Sequence, residues 1–147
     1  MTTIKYESPA SIATILTTEL NGLADGSNKL SAALSNDAAG ELFLYADFEI
    51  TLATTSSRPT NARVDMYILI ELDGSTYTYG SDSVNPADNM WVGSFIVDSG
   101  TLARVTHIRG IQLPPTDFKI LLQNNLGVAM ASSGNILKWT KYNLESL

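Results

Sequence analysis

The chain has 147 residues, no cysteine and a formal net charge of −6, from 15 acidic and 9 basic side chains. This length suits one domain with a single core, and the lack of cysteine excludes a disulfide framework, a thiolate metal site and a cysteine nucleophile. The acidic balance argues against a nucleic-acid partner. No apolar run approaches the roughly 20 residues of a membrane helix, so we expect no membrane partner either.

The charge is unevenly placed along the chain. Residues 1–100 carry a net −9, whereas residues 101–147 carry a net +3. The two groups of charge either scatter over a solvated surface or form two faces of opposite sign that dock copies or partners. Complementary faces of this kind set steering and register more than affinity.

The first part of the chain gives weak signals. Residues 1–10 are expected to form an N-terminal arm, with residues 11–147 as a single β-sandwich domain. A weak strand is predicted near 11–18. Residues 28–35 hint at one or two turns of helix, because Leu30 and Leu34 stand four positions apart.

Two longer segments alternate without a break. In residues 41–52 the even positions are apolar, and in residues 63–73 they are apolar again, up to Leu72. A period of two with one apolar face predicts half-buried strands. Asp65 and Tyr67 fall on the outward parity of the second segment.

The rest of the chain alternates short apolar runs with Gly, Pro and Asn turns. The Leu113-Pro114-Pro115 run interrupts any strand because proline has no N–H to donate. The predicted strands in this part are 76–79, 90–98 (with apolar residues on both parities, hence covered on both sides), 101–109, 118–123, 128–131 and 136–142. Eight or nine short strands with little helix predict an all-β, antiparallel, jelly-roll-like sandwich.

The sequence offers few residues suited to catalysis, and we expect that the protein is not an enzyme and binds no cofactor. The single histidine, His107, stands in a predicted strand, where packing is a simpler role than catalysis. Outward carboxylate pairs such as Glu41 with Asp47 suit solvated sheet charges better than glycoside hydrolysis. Acidic loop residues Asp73, Asp82 and Asp88 match no calcium-loop spacing, so no metal site is predicted.

Aromatic residues are more suggestive of binding. Tyr77 and Tyr79 share one face of a predicted edge strand, while Trp91 is expected in the core. Exposed aromatic rings stack on sugars or anchor protein interfaces. Core packing, a protein interface and glycan contact all stay open for the tyrosine pair.

Short blocks over most of the chain resemble a family of virion proteins of tailed bacteriophages. The blocks are Leu20-Asn21-Gly22-Leu23-Ala24, residues 42–52, Arg109-Gly110-Ile111, Leu113-Pro114-Pro115, Phe118-Lys119, Leu121-Leu122-Gln123-Asn124-Asn125, Ser133-Gly134-Asn135, Leu137-Lys138 and Tyr142-Asn143. They are turn motifs and carry no catalytic residues. The resemblance implies a jelly-roll capsid decoration (cement) protein, a homotrimer bound to the major capsid protein or another virion protein. Its expected location is the virion, assembled in the bacterial host cytoplasm.

Two functions follow as expectations. As a decoration protein, the chain would dock through its arm and through rigid loops beside the proline pair. The interface candidates are Ile4, Tyr6, Tyr77, Tyr79, Arg109, Pro114, Pro115 and Lys119. The alternative is a glycan-binding domain of a head or tail fibre, which would use Tyr77, Tyr79 and the loop 81–89.

Overall fold

The computed structural model describes residues 4–36, 42–71 and 73–146. Within these ranges the chain forms two short 3₁₀ helices, Thr18–Leu20 and Asp88–Met90, and ten strands. The strands are β1 Ile4–Tyr6, β2 Ala13–Leu16, β3 Asn28–Leu30, β4 Tyr45–Leu52, β5 Arg63–Ile70, β6 Trp91–Ile96, β7 Arg104–Gln112, β8 Phe118–Asn125, β9 Ile136–Tyr142 and β10 Leu144–Ser146. Predictions for Met1–Thr3, Glu41 and Leu72 lie outside the described residues.

Eight of the strands form two four-stranded antiparallel sheets. The first sheet has the order β2-β9-β4-β7 and the second has the order β3-β8-β5-β6. Strands β1 and β10 form a separate antiparallel pair. The strand order of the two main sheets is that of a jelly roll, which confirms the predicted fold class.

The core lies between the two main sheets. On β4 burial alternates along the strand, with Phe48, Ile50 and Leu52 buried as the period-two pattern predicts. Trp139 of β9 stacks on Phe48, with ring centroids 6.0 Å apart, and meets Phe118 of the second sheet edge-on. Burying each such side chain contributes about 1.5–3 kcal/mol, so this interior is the main source of stability.

The second sheet is also covered on part of its outer face. Residues 73–90 run across it, and a smaller apolar cluster forms there around Tyr67, Leu69 and Leu121, with Met90 against it. Asp65 is buried on this face as well. The prediction that Asp65 and Tyr67 point to solvent is therefore wrong, because Tyr77 and Met90 pack against the cluster that contains Tyr67, and the side chains of Arg63, Ser94 and Asn125 bond to the Asp65 carboxylate.

Four further predictions about strands and helix are wrong. Residues 28–30 form β3, which pairs with residues 121–123 of β8, and the Asn28 side chain donates to the carbonyl of Val84 at 3.2 Å and to Asn85 Oδ1 at 3.0 Å. Residues 76–79 make a single bridge between Tyr77 and Glu71, and 128–131 form no strand. The segment predicted as a strand covered on both sides is β6, an edge of the second sheet. Among the described residues, no helix has the length and apolarity needed to cross a membrane.

Candidate functional site

Trp91 lies on the surface at the start of β6. Its side chain is 52% exposed, so its predicted place in the core is wrong. The indole lines an open groove of about 380 Å³ on the outer face of the second sheet. The groove is lined by Arg63, Asp65, Tyr67, Asp88, Trp91 and Ser94.

A β-bulge turns Trp91 outward. Met66 of β5 stands opposite Gly93, but the next residue, Tyr67, stands opposite Trp91, so Val92 is an extra residue in β6. One extra residue reverses the face to which the preceding side chain points. Gly93 faces inward, where an added Cβ would lie 3.1 Å from the Ile108 side chain, closer than ordinary van der Waals contact.

The 3₁₀ turn before β6 holds a carboxylate beside the indole. The N–H of Trp91 donates to the carbonyl of Asp88, and the N–H of Met90 donates to Ala87 at 2.9 Å. Asp88 begins this turn, Trp91 caps its end, and both side chains line the same groove. Met90 packs against the small apolar cluster and anchors the turn to the sheet.

A chain of hydrogen bonds fixes the indole from below. Trp91 Nε1 donates to Ser94 Oγ at 3.3 Å, and Ser94 Oγ donates to Asp65 Oδ1. Asp65 is only 5% exposed and also accepts from Arg63 Nε at 3.1 Å and from Asn125 Nδ2 at 2.6 Å. The Asp65 carboxylate thus accepts hydrogen bonds from three side chains, and the indole N–H has an acceptor that this network orients.

Three polar groups of the groove remain available to a ligand. No described residue hydrogen-bonds to the Tyr67 hydroxyl, to the Asp88 carboxylate or to the outer nitrogens of Arg63. Burial, followed by the charges of Asp65 and Asp88, raises the pKa of Tyr67 above its usual value. The hydroxyl therefore keeps its proton at neutral pH and offers both a donor and an acceptor.

The structure brings three of the predicted interface residues together elsewhere. Tyr77, Tyr79 and Lys119 line a groove of about 300 Å³. Lys119 Nζ lies 4.1 Å from the Tyr77 ring centroid, and the hydrogen bond to Glu71 raises the pKa of the Tyr77 hydroxyl. Tyr79 is 69% exposed. Lys119 covers one face of the half-buried Tyr77, so Tyr79 is the more exposed of the two rings.

The other predicted residues lie in separate places. Tyr6 and Arg109 line a groove of about 430 Å³ on the first sheet, beside the register shift between β4 and β7 that lies between Ala46 and Phe48. Ile4 is exposed on β1. Pro114 and Pro115 line a third groove, of about 380 Å³.

The acidic loop residues do not converge. Asp73 accepts the N–H groups of Ser75 at 3.0 Å and Thr76 at 2.6 Å, whereas Asp82 pairs with Lys29. Over residues 4–36, 42–71 and 73–146, no group of three or more His, Asp or Glu side chains is placed to hold a metal ion. His107 Nε2 contacts Glu49 Oε2 at 3.0 Å on the open face of the first sheet.

The fold defines an eight-stranded jelly-roll β-sandwich with a solvent-facing aromatic groove. No family model and no curated protein matches the chain. Among solved structures, the carbohydrate-binding module CBM36 in complex with calcium and xylotriose aligns over 100% of this chain and 99% of its own, with 14% identity and a TM-score of 0.40. The CBM36-1 domain of a multidomain xylanase from the hindgut metagenome of Trinervitermes trinervoides aligns over 100% and 97%, with 16% identity and a TM-score of 0.42. These values are too low to support any statement about the function of this chain.

Proposed function

We propose that this domain binds a glycan in the groove around Trp91. The observation that carries the proposal is a half-exposed indole held by the Ser94–Asp65 hydrogen bonds and flanked by free polar groups. The apolar face of a sugar ring stacks on an aromatic plane, while its hydroxyls need donors and acceptors at the edge of that plane. The groove offers both.

The rigidity of the site favours binding. A loose surface tryptophan loses side-chain entropy when a ligand orders it, at a cost of about 0.5–1.5 kcal/mol. In this groove the Ser94 bond fixes the ring, and Met90 anchors the preceding turn in an apolar cluster. Ligand binding therefore costs little additional side-chain entropy at Trp91.

The test is a glycan array followed by titration of the best ligand, with binding read from tryptophan fluorescence. Trp91 and the buried Trp139 are the two tryptophans of the chain, so an emission change that is lost in Trp91→Phe is assigned to the groove. We expect Trp91→Ala to weaken binding by about thirtyfold, as for an aromatic anchor of a binding site.

Tyr79→Ala is the matched control, since it removes an exposed aromatic side chain from a different groove. We expect it to bind like the unchanged protein. Loss of binding in Tyr79→Ala with retention in Trp91→Ala would move the site to the Tyr77–Tyr79 groove. An array without any specific ligand would refute glycan binding.

A second candidate function is capsid decoration, compatible with glycan binding on a virion surface. One observation favours it beside the resemblance: exposed apolar side chains gather at the end of the molecule where β1 pairs with β10. They are Ile4, Tyr6, Leu42, Leu44 and Leu144. A surface of this kind is typical of protein contacts, and under this proposal it docks a homotrimer on the major capsid protein or another virion protein.

Decoration is tested on purified particles. Deletion of residues 1–9 and the milder double change Ile4→Ser with Tyr6→Ser should both lower occupancy, while Ile96→Ser, at an exposed apolar residue of the second sheet, should leave it unchanged. Full occupancy with both arm variants would refute docking by the arm. Light scattering of the isolated chain tests the trimer, and a monomer at working concentration would contradict it.

A further inference from the structure

We propose that the glycan bound at Trp91 is a neutral sugar, recognised through a pair of neighbouring hydroxyl groups that donate to Asp88. This inference rests on the proposed glycan-binding function and names the ligand class of the same site. It makes Asp88 the residue that determines specificity, with Trp91 as the platform.

The charge balance of the groove carries the first step. Arg63 is the one cation among the described residues that line the groove, and its Nε lies 3.1 Å from both oxygens of Asp65. The charge of Asp65 is thereby balanced, and Asp88 is left as an uncompensated anion. A sugar carrying a carboxylate, sulfate or phosphate would meet this charge at short range and be repelled.

The hydrogen-bonding capacity of Asp88 carries the second step. Both of its carboxylate oxygens lack a hydrogen-bond partner among the described residues, and a carboxylate only accepts. Two adjacent hydroxyls of a sugar ring supply two donors at a spacing that one carboxylate accepts together. Such charge-assisted bonds are stronger than neutral ones and select for ligands that carry both hydroxyls.

The position of Asp88 relative to the indole carries the third step. Asp88 begins the 3₁₀ helix and Trp91 caps its end, where the Trp91 N–H donates to the Asp88 carbonyl. The backbone that carries the carboxylate is therefore held beside the ring on which the sugar stacks. The Tyr67 hydroxyl and the free nitrogens of Arg63 lie in the same groove and supply donors for the ring and glycosidic oxygens.

The experiment compares neutral with acidic oligosaccharides on the full chain. The neutral panel contains cello-, malto-, xylo- and galacto-oligosaccharides, and the acidic panel contains oligogalacturonate and sialyllactose. We expect binding to neutral members only, with affinity nearly unchanged when sodium chloride is raised tenfold, since no net charge pair is formed.

Asp88→Asn keeps the size of the side chain and removes its charge. We expect it to weaken binding by about ten- to a hundredfold, the loss for one hydrogen bond to a charged group, because the amide oxygen of asparagine still accepts the other hydroxyl. Asp73→Asn is the control, because Asp73 is a carboxylate in another loop outside this groove. Thermal melting of each variant establishes that it is folded.

The outcomes separate the two proposals. Binding of acidic sugars alone, or unchanged affinity in Asp88→Asn, would overturn the ligand class while Trp91-dependent binding kept the glycan function. Absence of binding to every member would overturn the glycan function itself. Neutral selectivity that is lost in Asp88→Asn and kept in Asp73→Asn is the result that supports the inference.

Discussion

Gly127 offers the sharpest test of the packing at the end of β8. Its φ is +73°, a left-handed conformation that costs a residue with a Cβ about 1–2 kcal/mol. A Cβ built there would lie 2.6 Å from Cγ and 2.7 Å from Cδ of Pro59, far inside van der Waals contact. Overpacking of this kind costs about 1–3 kcal/mol, so Gly127→Ala should destabilise the fold by about 2–5 kcal/mol.

A second glycine separates the two contributions. Gly26 has nearly the same φ, +75°, but an added Cβ would meet nothing within 4 Å. Gly26→Ala should therefore cost only the backbone part, about 1–2 kcal/mol. Urea unfolding monitored by circular dichroism measures both free energies of unfolding, and their difference is the steric part.

The clash is assigned to Pro59 by a double-mutant cycle. The Cβ of Pro59 lies 4.0 Å from the added methyl, so Pro59→Ala removes the clashing atoms and leaves ordinary contact. Gly127→Ala should be milder in the Pro59→Ala background, with a coupling energy of at least about 1 kcal/mol. Equal losses for Gly127→Ala and Gly26→Ala, or no coupling with Pro59, would refute this reasoning.

Two further predictions concern buried and paired charges. Arg58 is fully buried and donates to the carbonyls of Asp98 at 3.3 Å and Leu102 at 2.7 Å. Arg58→Ala should lower the free energy of unfolding by about 3 kcal/mol or more. Arg58→Met should lower it less, because methionine fills the space without a buried charge. A decrease below about 1 kcal/mol for Arg58→Ala, measured by urea unfolding, would contradict this prediction. Partial burial raises the pKa of Asp82, but the bonds from Lys29 and from a backbone N–H outweigh it and lower the pKa below 3.8. The folded state thus gains stability above about pH 4, and this stability is lost as the pH falls through the lowered pKa. The melting temperature of Asp82→Asn should therefore fall less on acidification than that of the unchanged protein. Identical curves of melting temperature against pH for the two proteins would refute the pairing.

The fold was predictable where the residue pattern of a single strand was sufficient to identify that strand and its buried face. β4 buries one parity of its side chains against the core, and its partner strand β9 begins at Ile136 directly after the Gly134 turn, so both are readable from the sequence. A period-two pattern depends only on which face meets the core. The jelly-roll class followed from the number of short strands and the scarcity of helix.

Burial on the outer face of the second sheet could not be predicted in this way. The polar residue Asp65 and the amphipathic Tyr67 stand on the outward parity of β5, which is a solvent pattern when the strand is considered alone. They are buried because Tyr77 and Met90 pack against the cluster that contains Tyr67 and because Arg63, Ser94 and Asn125 bond to the carboxylate. Such contacts join positions far apart in sequence, and no local pattern encodes them.

The candidate site was missed for a related reason. Counted back from the buried Phe95, Trp91 falls on the inward parity of its strand, and a tryptophan there is expected in the core. The bulge at Val92 reverses that parity. In a bulge, two residues of one strand stand opposite one residue of the partner strand, and the sequence of a single strand does not show this pairing. The local sequence features that mark the site are Asp88, three positions before the tryptophan, and Gly93, two positions after it. Because the same bulge that exposes the indole also aligns it with Tyr67 and Ser94, the irregularity in the ladder creates the groove, and removal of Val92 is expected to abolish it.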